Sequence, residues 1–325
     1  MRQFSNILYV VPDEDPQAGL DRAVSLAQAD GAVLTLVSVV ETMVSAASAG
    51  RFHDELAEAF EALRRKRLER LRELAAGVKG SVETVCEVMD GLAYLKVIKR
   101  VQLYKHDLVV AHTAGHGGPM ARLFVSEEMQ LLRKCPCPVL LLKPLHQNGF
   151  DRIVATVDFD HQDDPDGRAV KTALNADIVD LAATLAEQDR AKLDVLNIFT
   201  VPGEASMVAG WIPMTPENLS DYAKRCRGEA ETQLQAVVKD SRDRTGLDVL
   251  NGEDVTTHIV KGRPRVEIPH FVREHEADLV VMGTVGRVGV PGFLIGNTAE
   301  TILTSIDCSV LALKPHGFES PVTVD

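Results

Sequence analysis

The sequence has no apolar run long enough to cross a bilayer, no GKS or GKT triplet, and no GxGxxG turn after its first apolar segment. The first absence removes a transmembrane helix, which needs about 20 apolar residues. The others remove the Walker and dinucleotide fingerprints. Basic residues are outnumbered, 35 Lys and Arg against 47 Asp and Glu, and the formal charge of −12 argues against a broad nucleic-acid surface. Cysteine is sparse and odd in number, five in all, with no paired CxxC set, so a disulfide framework is not expected. Cys135 and Cys137 in KCPCPV read as buried free thiols, with a metal site or redox pair as the alternative. The opening MRQFSNILYVVPDEDP lacks the apolar span and cleavage pattern of a signal peptide, and a cytoplasmic location is expected.

What remains is ordinary globular composition, 45% apolar and 25% charged, over 325 residues, enough for two domains. The chain repeats itself. DLVVAHTAG at 107–115 matches DLVVMGTVG at 278–286, and KCPCPVLLLKP at 134–144 matches SIDCSVLALKP at 305–315, both at a spacing of 171 residues. Gly91 and Gly262 share that spacing. NILYVVPDED at 6–15 matches RIVATVDFDH at 152–161 at a shorter one, which places inserted residues early in the second copy, mainly in its first helix and the approach to it. The domains are read as 1–145 and 150–317, with a tail at 318–325.

Each copy alternates short β-branched runs with helical periodicity. NILYVV, AVLTLVSVV, SVETVCEV, KHDLVVAH and CPVLLLKP read as strands, as do DRIVATVDF, LDVLNIFT, VTTHIVK, ADLVVMG and CSVLALKP. In HDELAEAFEALRRKRLERLRELAAG, Leu56, Phe60, Leu63, Leu71 and Leu74 share one side of a long charged helix. The expected fold class is α/β, two tandem open parallel five-stranded sheets with helices on both faces and ligands at the carboxyl ends of the strands.

The densest motif is VMGTVGRVGVPGFLIGNTAET, 281–301. Gly283 and Gly286 follow the fourth strand of copy two, and Gly296 precedes Asn297, Thr298 and a helix. Two close-approach glycines and a helix N-terminus, capped by Asn297 or Thr298, form a candidate anion cradle, and Arg287 adds a planar donor fork. The competing reading is a loop rich in glycine for its turns alone. Asp158, at the end of the first strand of copy two, faces the same crevice, either to accept from a ligand or to cap the next segment. Copy one has Pro12, His112, Val125 and Ser126 at these places and keeps only Gly115.

These residues resemble the universal stress protein family, tandem two-domain type. Its signature is G-x2-G-x9-G-S/T, which Gly283, Gly286 and Gly296 fit, with VKGRP at 260–264 as the preceding element. The resemblance covers both halves. It implies an adenine nucleotide alpha hydrolase-like, Rossmann-like fold and an intrachain pseudo-dimer paired through the last strands. It further implies a stress-response role and a nucleotide, ATP or AMP, or another phosphorylated ligand, with Mg²⁺ only beside a triphosphate. Carried over, Asp158 sits near the adenosine and Ile198 lines the base pocket. Gly283, Gly286 and Arg287 wrap ribose and phosphates, and Gly296, Asn297 and Thr298 hold the phosphate end. Asn297 departs from the Ser or Thr of the ATP-binding members.

No nucleophile elbow, convincing general base or metal set is legible, so an enzyme is not favoured, and rapid turnover is not expected. His270 and His275 do not share a helix face, and His106, His112 and His116 are read as clustering around one strand end. VPGEASMVAGWIPMTPENLSDY, 201–222, holds the single Trp; it packs below, or forms an apolar lid for an acyl chain or partner peptide. Further expectations are a possible homodimer of the whole chain and no direct nucleic-acid binding. The alternative functions are a ligand-free interaction scaffold and a slow phosphohydrolase.

Overall fold

The computed structural model describes residues 4–41, 53–113, 126–143, 149–159, 165–284 and 296–324, and the chain divides into two compact units. The first runs to Gly149 and takes in Ser309–Ala312 and the segment from Phe318; the second comprises Phe150–Cys308 and Leu313–Gly317.

In the first unit the elements follow as β1 (Asn6–Val10), α1 (Gln17–Asp30), β2 (Val33–Val40), α2 (His53–Gly77), β3 (Thr84–Asp90), α3 (Ala93–Tyr104), β4 (Leu108–His112), α4 (Ser126–Lys134) and β5 (Val139–Leu142). The order β3-β2-β1-β4-β5 is parallel throughout. Such a sheet is covered on both faces, which is why β2 is nearly all apolar rather than alternating. α1 ends at Gly31 in the left-handed region, φ 63°.

The second unit repeats the pattern with β6 (Arg152–Val157), α5 (Pro165–Asp189), β7 (Lys192–Phe199), α6 (Glu204–Val208), α7 (Pro216–Thr245), β8 (Val255–Lys261), α8 (Pro264–Glu274), β9 (Leu279–Gly283) and α9 (Asn297–Ser305). The order β9-β6-β7-β8 is parallel. α7 opens on Thr215, whose hydroxyl accepts from the Asn218 N–H, with Pro216 as its first helical residue.

The last strand, β10 (Ser309–Leu313), corrects the expectation of two five-stranded sheets. It pairs antiparallel with β5 through Val310↔Leu141, Leu311↔Leu140 and Ala312↔Val139. All ten strands therefore count in one sheet, not in two separate sets of five. An apolar edge such as VLLL is a pairing template, and here VLAL covers it.

The repeat reaches individual hydrogen bonds. Asp107 accepts from the Ser5 and Asn6 N–H groups at 2.6 and 2.9 Å, and Asp278 from those of Asp151 and Arg152 at 2.7 and 3.1 Å. The inserted length of the second copy is shared out. α5 has 25 residues against 14 in α1, as the sequence reading has it, but α6 takes a further part. Leu63 is exposed rather than on the inner side of α2 with Leu71.

Candidate functional site

β6 lies between β7 and β9, and the chain leaves it toward opposite sides, so the crevice at its carboxyl end is the switch point of the second unit. The last couple paired between β6 and β9 is Thr156↔Met282; two residues further on stand Asp158 and Thr284.

Asp158 is held by its backbone. Its N–H donates to Asn175 Oδ1 at 3.1 Å, and its carbonyl accepts from Asn175 Nδ2 at 2.8 Å. Asn175 is a buried residue of α5, so the amide fixes the turn out of β6 while the carboxylate stays exposed, 3.4 Å from Lys171 Nζ. Beside it, Asn197 of β7 donates through Nδ2 to the Val157 carbonyl at 2.9 Å. Its Oδ1 is buried and has no hydrogen-bond partner among the described residues. A buried acceptor left in that state costs about 1–3 kcal/mol unless something donates to it. Ile198, next on β7, is buried.

Gly283 has a packing role. A Cβ there would come within 2.7 Å of Leu174 Cδ2 and 3.7 Å of Ile178 Cδ1, so the glycine lets α5 lie close on β9. Thr284, fully buried, donates through N–H and Oγ1 to the Leu313 carbonyl at 3.1 and 3.2 Å, and accepts from Lys314 Nζ at 2.6 Å. The Thr284 carbonyl accepts from the Gly296 N–H at 3.1 Å, which brings the start of α9 back to the end of β9.

Gly296 is the N-cap of α9, with no side-chain cap bond. This corrects the expectation that Asn297 or Thr298 caps the helix. Both are exposed first-turn residues, and among the described residues no side chain caps the positive helix end. The structure thus brings Asp158, Gly283 and Gly296 to one strand edge, with Ile198 near it on β7. Gly286 and Arg287 lie outside the described residues.

Asn175, Asn197 and Thr284 escaped the sequence reading. The asparagines sit inside regular elements with no motif around them. Thr284 had a signal: Thr113 occupies the same place in the repeat and donates to the Leu142 carbonyl through N–H and Oγ1 at 2.9 and 3.3 Å.

The histidine clustering is corrected. His106 precedes β4 and His112 ends it, so they stand at opposite ends of one strand; His116 lies outside the described residues. His270 is exposed beside Glu274, 3.5 Å away. His275 stacks on Phe271, centroids 3.8 Å apart. Near the amino ends of the second unit's strands, buried Asp194 is bound by Arg152 Nε and His258 Nε2, each at 2.7 Å. Burial pushes the Asp194 carboxyl pKa up, and the hydrogen bonds from His258 and Arg152 outweigh it, holding the carboxyl below its usual value. Cys135 Sγ and Cys137 Sγ lie 3.6 Å apart as thiols, and burial pushes the Cys137 thiol up. No group of three or more metal-ligating side chains occurs among the described residues. Nor is any described helix long and apolar enough to cross a membrane.

A parallel, helix-flanked α/β unit with its crevice at the strand switch point, present twice, defines the tandem Rossmann-like class. The universal stress protein family model matches residues 3–143 and 149–314, and the chain belongs to that family. It is similar to universal stress protein E of Photorhabdus laumondii, 27% identical over 332 residues that cover 99% of this chain and 98% of that one. It is likewise similar to universal stress protein E of Escherichia coli K12, 28% identical over 346 residues covering 100% and 98%. Two crystal structures share the fold. One, of a functionally unknown Pseudomonas aeruginosa PAO1 protein, has a TM-score of 0.64 at 23% identity, with 97% of this chain and 94% of that one covered. The other, an Archaeoglobus fulgidus universal stress protein, has a TM-score of 0.58 at 14% identity, with 95% and 96% covered.

Proposed function

We propose that this stress-response protein binds a nucleotide or other phosphorylated small ligand in its second unit and regulates by holding it, without rapid turnover, in the cytoplasm. One observation carries the reading: the Gly296 N–H bond to the Thr284 carbonyl sets the uncapped start of α9 at the carboxyl end of β9, beside β6 and Asp158. Helix N-termini at strand ends attract phosphate through unpaired N–H groups and the helix dipole. Asp158 is suited to accept from a ribose hydroxyl or base amine, and the unpartnered Asn197 Oδ1 supplies a further acceptor. Gly286, Arg287, Asn297 and Thr298 complete the proposed phosphate side, and Ile198 the base side. ATP and AMP are the first candidates, with Mg²⁺ accompanying a triphosphate only. Equilibrium dialysis with ATP, AMP and a UDP-sugar tests this: saturable binding at millimolar ligand or below is expected, and its absence for all three ends the proposal.

A second reading rests on the folded segment after β7. Trp211 is 83% exposed and Val208 72%, with Ile212 and Met214 also exposed, although the Trp211 N–H is bound to the Ser206 carbonyl at 2.9 Å. An ordered turn presenting apolar side chains suits a partner protein. Crosslinking from position 211 that captures no reproducible partner would count against it.

A further inference from the structure

Three arginines of α2, Arg64, Arg67 and Arg70, recur at three-residue spacing and reach across the carboxyl ends of β3, β2 and β1. Arg64 pairs with Asp90, the last residue of β3. Arg67 pairs with Asp13, just past β1, and donates to Ser38 Oγ on β2 at 3.3 Å. Arg70 donates through Nη1 to the Asp13 carbonyl and through Nη2 to the Glu14 carbonyl, each at 2.8 Å. The inward face of the second unit's long helix α7 carries Ala230, Leu234 and Val238 instead.

A helix lying on a sheet ordinarily turns an apolar stripe toward it. In α2 that stripe is narrow, with Leu71 buried at its centre, and the three half-buried arginines run beside it, where adjacent guanidiniums repel. Burial pushes the Arg67 pKa down and the charge of Arg70 adds to that, so the row depends on anions around it. The DED loop after β1 supplies one carboxylate, from Asp13, and two neutral carbonyls; Arg70 meets no carboxylate among the described contacts. A guanidinium has five N–H donors in a fork that matches phosphate, so donors remain unused in these contacts.

We propose that Arg64, Arg67 and Arg70 form a binding site in the first unit for a short chain of linked phosphates, which the Asp13–Glu14 loop covers until a ligand displaces it. The six residues from Arg64 to Arg70 rise about 9 Å along the helix, which favours a di- or triphosphate over a single phosphate. The row is separate from the second-unit crevice and stands without it. A guanidinium fork pairs with carboxylate and phosphate alike, and the length of the row is what favours linked phosphates.

The full chain is titrated calorimetrically with inorganic tripolyphosphate, in the wild type and in Gly286→Trp, a substitution aimed at the proposed second-unit site. Saturable binding is expected in both, with orthophosphate weaker by about tenfold or more. Replacing Arg67 and Arg70 by Met weakens tripolyphosphate by a similar factor, and Asp13→Asn strengthens it several-fold because the competing carboxylate is gone. Absent saturation overturns the proposal, as does binding indifferent to the arginines or lost in Gly286→Trp. Should the double arginine variant fail to fold, Asp13→Asn decides, and unchanged or weaker binding there overturns the site. Displacement of the probe by ATP in Gly286→Trp identifies a nucleotide's phosphate chain as the source; probe binding without displacement identifies a free chain.

Discussion

His112 Nε2 lies 3.0 Å from the Tyr9 hydroxyl, and the two side chains together fill the space over Gly19. Tyr9 also donates to the Pro16 carbonyl at 2.8 Å, so its buried hydroxyl is satisfied. In the second unit the strand position of His112 is taken by Gly283, and the helix above supplies Leu174 and Ile178. Bulk has moved from strand to helix. The first glycine of the family signature is therefore tied to how α5 sits, before any ligand is considered.

Gly19→Ala tests the first arrangement. In an ordinary helix the change stabilises by about 1 kcal/mol. Here the new Cβ falls 1.9 Å from His112 Nε2 and 2.6 Å from the Tyr9 hydroxyl. A loss of about 2 kcal/mol in urea melts is expected, recovered in large part by His112→Ala. A neutral or stabilising Gly19→Ala would sink this packing.

For the counterpart, Gly283→Val is expected to cost about 1–3 kcal/mol by overpacking against Leu174. Leu174→Ala, itself destabilising, should offset part of that cost in the double variant. A double-mutant cycle without coupling would separate Gly283 from α5 and return it to the ligand.

His106 gives a pH dependence. It is buried, and burial together with the nearby Arg100 charge pushes its pKa down from 6.5 to about 4. The unfolded chain then binds more protons between those values. Stability is complete above about pH 6.5 and declines as pH falls toward 4, by roughly 3 kcal/mol from this residue. His106→Leu should flatten that part of the stability–pH curve; an unchanged slope would assign the acid sensitivity elsewhere.

Gly296→Asp separates helix capping from ligand binding. Aspartate at an N-cap serves α9 as well as glycine, and stability should change by only a few tenths of a kcal/mol. The carboxylate would occupy the open helix start and repel phosphate, so nucleotide binding in the second unit should fall by about tenfold or more. Binding retained at wild-type strength would place the anion away from α9.

Much of the fold was legible from local patterns. The helix over 53–77 coincides with the span of periodic residues, and the β-branched runs became strands because side-chain period is a property of the nearest neighbours along the chain. At the candidate site, glycine spacing pointed to the turn after β9, but the packing role of Gly283 was not legible, because nothing local shows that Leu174 approaches it.

The sequence by itself determined the repeat and most of the strand and helix spans, since these depend on periodicity and turn chemistry. The tertiary structure decided what rests on distant partners. β10 joins β5 because two apolar edges meet, and Gly296 becomes a cap because the Thr284 carbonyl takes its N–H. Arg67 turns inward because Asp13, 54 positions earlier, brings the charge that makes its burial tolerable.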